Sequence, residues 1–71
     1  MRRFDLVRIH DVSGVSGTGT VAEGVCFSTG KCVLGWVTQY RSVAVYDSIE
    51  ELEQIHGHNG STVIVWIDEE I

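Results

Sequence analysis

The sequence has no proline, one methionine and two cysteines among 71 residues. Without proline no stretch reads as a rigid linker, and eight glycines supply tight turns instead. No apolar run can cross a bilayer, since the longest, Val63 to Ile67, is far too short. Arg2 and Arg3 open the chain positively, but Phe4-Asp5-Leu6-Val7-Arg8 builds no signal-peptide apolar region, so the default expectation is the cytosol. Basic residues are scarce and stop early. The five Lys/Arg all precede Ser42, after which seven acids follow with no cation, within a formal charge of −5. An acidic half repels phosphate backbones, which argues against sequence-independent nucleic-acid binding. It suits solubility, or docking on a basic protein surface.

What is present describes one small β-rich domain over residues 1–71. At this length only about 60% of the unfolded surface can be buried, and partner subunits often add stability. Phe4 to Asp11 alternates without saying which face is buried. Thr20 to Phe27 sets Val21, Val25 and Phe27 against the small Ala22, Gly24 and Cys26, as if another backbone approaches there. Ser28-Thr29-Gly30 reads as a hairpin loop with Gly at the left-handed bulge position. Lys31 to Tyr40 follows, with Cys32, Leu34, Trp36 and Tyr40 on one face, and then a short strand from Val43 to Tyr46.

Ser48 followed by Glu51 is a capping box. Ile49, Leu52, Ile55 and His56 share one helical face, while Glu50, Glu51, Glu53 and Gln54 share the wet one. Gly57 is placed as a left-handed C′ residue, Asn59-Gly60 as the turn, and Ser61 to Ile67 as the last strand. The fold class is mainly β (α+β): a five-stranded antiparallel SH3-like barrel or roll, with one short helix before the last strand. The runner-up is an open antiparallel sheet with the helix packed on one face.

Candidate chemistry is sparse. The loop Ser13 to Gly19 exposes glycine amides but lacks the Lys-Ser/Thr of a P-loop, and it does not lead from a strand into a helix. Its hydroxyls Ser13, Ser16 and Thr18, with Arg8, Tyr40 and Arg41, form the candidate set for a nucleotide-like small ligand. Cys26 and Cys32 face each other if the hairpin loop has three residues and point apart if it has two. Zinc ligation by these cysteines with His56 and His58 matches no common spacing, and no cofactor or metal is assigned. His56 suits the negative end of the helix dipole. Trp36 and Trp66 read as core or subunit contacts.

The segments Val12-Ser13-Gly14-Val15-Ser16-Gly17-Thr18-Gly19, Asp47-Ser48-Ile49-Glu50 and Ile55-His56-Gly57-His58-Asn59-Gly60, closing on Val65-Trp66, resemble a group of small uncharacterised proteins from actinobacteria and bacteriophages. The resemblance spans Phe4 to Trp66 and implies a phage or mobile-element context with no assigned activity. Cys26 and Cys32 depart from the group's pattern. The expectation is therefore a non-enzymatic, homo-oligomeric modulator of a host protein, such as a defence or CRISPR enzyme, in the host cytoplasm. It would bind through an acidic face of Glu50, Glu51, Glu53, Asp68, Glu69 and Glu70. The alternatives are an oligomeric nucleotide-signal sponge and a small zinc or hydrolytic protein.

Overall fold

The structure, a computed structural model, describes residues 1–10 and 18–69, with His58 described by its backbone alone. Five strands form one antiparallel sheet: β1 (Arg2–Arg8), β2 (Gly19–Cys26), β3 (Cys32–Trp36), β4 (Val43–Tyr46) and β5 (Thr62–Trp66). One helix, α1 (Ile49–His56), precedes the last strand as expected. The strand order is β4-β3-β2-β1-β5, so β4 and β5 occupy the two edges and α1 contacts both. This is the expected mainly β class, five antiparallel strands with one short helix before the last, and among the described residues no ladder joins the two edges. No helix among the described residues is long and apolar enough to cross a membrane.

The core is Phe4, Leu6, Val21, Ala22, Cys32, Leu34, Tyr46 and Leu52. The ambiguity of β1 is thereby settled: Phe4 and Leu6 point in, although Arg2 and Arg8 share their parity at the two ends of the strand. Arg2 takes that position by laying its guanidinium 3.8 Å over the Trp66 ring, which keeps its charge at the rim.

Several sequence expectations are corrected. The small face of β2 is the core face, and what approaches Gly24 is the Phe4 ring rather than a backbone. The register of β1 on β2 slips between Leu6 and Val7, a bulge that leaves Val21 without a partner. Val21 turns inward beside Ala22, so two successive residues are buried and the period of two fails there. Strand β3 ends at Trp36, although the Val37 amide still donates to the Val21 carbonyl at 3.0 Å in the register of β2. Tyr40 therefore lies beyond the strand and is 79% exposed.

On α1, Ser48 Oγ accepts from the Glu51 amide at 3.1 Å, while the reciprocal Glu51 side-chain bond is absent among the described residues. Leu52 alone on the helix is fully buried, and Ile55 is half-exposed, so the apolar stripe is narrower than its spacing suggested. Gly57 is not left-handed. It keeps helical angles (φ −68°, ψ −30°), and its amide donates to the Glu53 carbonyl at 2.7 Å. A Cβ there would press on that carbonyl, so glycine is required for closeness rather than for handedness. The left-handed turn falls at Asn59 (φ 55°) and Gly60 (φ 91°).

Candidate functional site

The antiparallel register sorts the loops into two chemically different ends. One end gathers the exit of β1 at Arg8, the entry of β2 at Gly19, the exit of β3 at Trp36 and the entries of β4 and β5. The C-terminus of α1 lies there too, since His56 packs edge-on against Trp36 at 5.2 Å. The segments 8–10, 18–20, 36–43 and 56–62 carry Arg8 and Arg41, and a cleft of about 760 Å³ beside Gly57, Asn59, Gly60 and Thr62 is lined by Glu50 and Glu53. The opposite end holds residues 1–3, 26–32, 46–50 and 66–69, with Arg2, Arg3, Lys31, Asp47, Glu50, Asp68 and Glu69.

The acidic residues are thus distributed rather than merged. Glu50, Glu51 and Glu53 project from α1 into solvent, and Glu50 shares a cleft of about 750 Å³ with Asp47 and Glu69 over Phe27, Ile49 and Trp66. Asp68 is taken up by Arg3, whose Nη2 and Nε donate to its two oxygens at 2.8 and 3.0 Å and whose amide adds a bond at 2.8 Å. Those bonds hold its carboxyl down at about 2, the guanidinium bond contributing most. Asp47 pairs with Lys31 at 2.7 Å. Glu70 lies outside the described residues.

The ligand candidates lie at the same end of the sheet, with β2 and β3 between the strand of Arg8 and the strand that follows Arg41. Arg8 is half-buried at the exit of β1, directly across from Gly19 and so beside Thr18, which is exposed. Tyr40 and Arg41 are exposed in the β3–β4 turn at the same end. Ser13 and Ser16 lie outside the described residues. Two features there escaped the sequence reading. The Tyr46 hydroxyl lies 2.7 Å from His56 Nε2, so the imidazole is held by a hydrogen bond and two aromatic edges as well as by the helix terminus. Burial pushes the Tyr46 phenol up. Thr62, across from Arg8, is 5% exposed, yet its Oγ1 meets no hydrogen-bond partner among the described residues. Only the pairing of distant strands reveals either feature.

The three-residue loop holds, with Gly30 at φ 96°, and sets Cys26 directly opposite Cys32. Both are free thiols, and burial, reinforced by the Cys26 side chain, pushes the Cys32 thiol up to about 12. No group of three or more potential metal ligands occurs among the described residues.

A family model described as Acb5 phage protein matches residues 1–68. No curated protein and no solved structure matches the chain.

Proposed function

The chain belongs to the Acb5 phage protein family, and we propose that it binds a small anionic, nucleotide-like ligand at the end of the sheet that carries Arg8 and Arg41. The observation that carries this reading is the placement of Arg8, Thr18, Tyr40 and Arg41 at one end of the sheet, with Trp36 and with the Thr62 hydroxyl, which has no partner among the described residues. Guanidinium groups suit phosphates, and aromatic faces suit bases. A guanidinium attracts anions locally even on a protein of net negative charge. A phage product of this kind acts as a modulator by sequestering a host signal.

Docking on a host protein through the acidic residues ranks below this, because Asp68, one of that face, is already paired with Arg3. One observation favours a second reading, hydrolysis of the bound ligand. The Tyr46–His56 pair, beside Trp36, couples a phenol to an imidazole that can pass a proton.

Thermal denaturation with a panel of nucleotides, followed by anion-exchange chromatography of each nucleotide, tests both. A raised midpoint with nucleotide recovered intact supports sequestration. Conversion of the nucleotide supports hydrolysis. Neither a shift nor conversion at saturating concentration would sink both readings.

A further inference from the structure

We propose that β4 is the interface of a homodimer, pairing antiparallel with β4 of a second copy about a two-fold axis at Ala44. Among the described residues the strand pairs with β3 alone, which leaves its other edge open to a second chain. The Ser42 carbonyl accepts from the Trp36 amide at 3.0 Å. Antiparallel ladders alternate, so the backbone groups of Ala44 and Tyr46 also face β3 while those of Val43 and Val45 face outward. Their side chains are each 67% exposed. From Ser42 to Tyr46 the edge carries no charge and no proline, the devices that commonly keep edge strands apart.

The sequence around this edge is self-complementary. Centring the pairing on Ala44 sets Val43 opposite the second copy's Val45 and Val45 opposite its Val43. These are the residues whose amides and carbonyls point outward, so both pairs can exchange main-chain hydrogen bonds. The same register sets Asp47 opposite the second copy's Arg41, and Arg41 opposite its Asp47. In the single chain Asp47 gives one carboxylate oxygen to Lys31 at 2.7 Å, and its side chain is 77% exposed, so it can receive a second cation. The other edge lacks this property: centred on Ile64, β5 would set Ser61 against Ile67 with no opposite charges.

The result is a closed two-fold assembly with one continuous ten-stranded sheet. The outer-face row Val25, Val33, Val45, aligned across β2, β3 and β4, continues into the second copy. The pairing draws Arg41 toward the second copy, which leaves Arg8 as the principal cation of the ligand end. The interface does not depend on the ligand proposal.

Sedimentation equilibrium from micromolar to near-millimolar protein is the test. The wild-type chain is expected to be dimeric. Val45→Pro deletes an outward amide without touching the β3 ladder, and with circular dichroism unchanged it is expected to be monomeric. Arg41→Asp sets two carboxylates together and should weaken the dimer about tenfold, and Arg41→Asp with Asp47→Arg should restore it. A wild-type monomer throughout, or a dimer indifferent to the Arg41→Asp reversal, overturns the proposal.

Discussion

The Tyr46 hydroxyl and the His56 ring, ten residues apart in sequence, lie 2.7 Å apart and tie the end of β4 to the end of α1. Tyr46 is nearly buried, so Tyr46→Phe removes one hydrogen bond while keeping the ring. The expected cost is about 1 kcal/mol. For a domain of this size that lowers the melting midpoint by roughly 4–8 °C, read by calorimetry.

Gly24 faces the Phe4 ring, which is fully buried, and a Cβ at Gly24 would fall within 2.8 Å of Phe4 Cε1 and Cε2. Phe4 also packs edge-on against Trp66 at 5.5 Å, so it has little room to retreat. Gly24→Ala should destabilise the fold by about 1–3 kcal/mol, as overpacked cores do. Urea denaturation would show a lower midpoint with an unchanged slope. The companion Gly24→Ala, Phe4→Leu should recover part of the loss.

Arg3 holds the Asp68 carboxyl down at about 2, below the ordinary value of about 3.9 expected in the unfolded chain. A depressed folded-state value means the contribution is complete above pH ~4 and lost as pH falls toward 2. The midpoint difference between the wild-type protein and Asp68→Asn should therefore be constant from pH 7 to about 5, then shrink and vanish near pH 2. Added salt should reduce it at neutral pH, since the Arg3 side chain is 65% exposed.

Burial holds the Cys32 thiol at about 12, so it stays protonated at pH 8 and shielded from reagent. Mass-resolved iodoacetamide labelling should leave Cys32 unmodified in the folded protein and modify it in denaturant. Labelling of Cys32 in the native protein at the rate of a free thiol would contradict the described packing.

Local signals carried much of the fold. The Ser48 cap, the three-residue hairpin loop at Ser28-Thr29-Gly30 and the Asn59-Gly60 turn depend on neighbours in sequence, and each is where the residues put it. The phage character drawn from the motif order agrees with the family match. What failed depends on distant neighbours. The bulge at Val21 needs β1 and the space above Gly24 belongs to Phe4, while Gly57 is the local exception, held by the Glu53 carbonyl four residues back. The same holds for the site. Arg8, Thr18, Tyr40 and Arg41 belong to one candidate set in the sequence, and the strand register sets them at one end. The Tyr46–His56 pair and the Thr62 hydroxyl left no trace in spacing or composition.

The proposed ligand site turns on Arg8, at the end of the sheet where β1 leaves and β2 enters. Isothermal titration with the nucleotide panel tests it most directly, using the wild-type chain, Arg8→Ala and, as a control at the helix surface, Glu53→Gln. The account predicts saturable binding to the wild-type chain and to Glu53→Gln. It predicts roughly ten- to hundredfold weaker binding to Arg8→Ala, the loss of a charge-assisted bond. No binding by the folded wild-type chain, or equal affinity in Arg8→Ala, would contradict it.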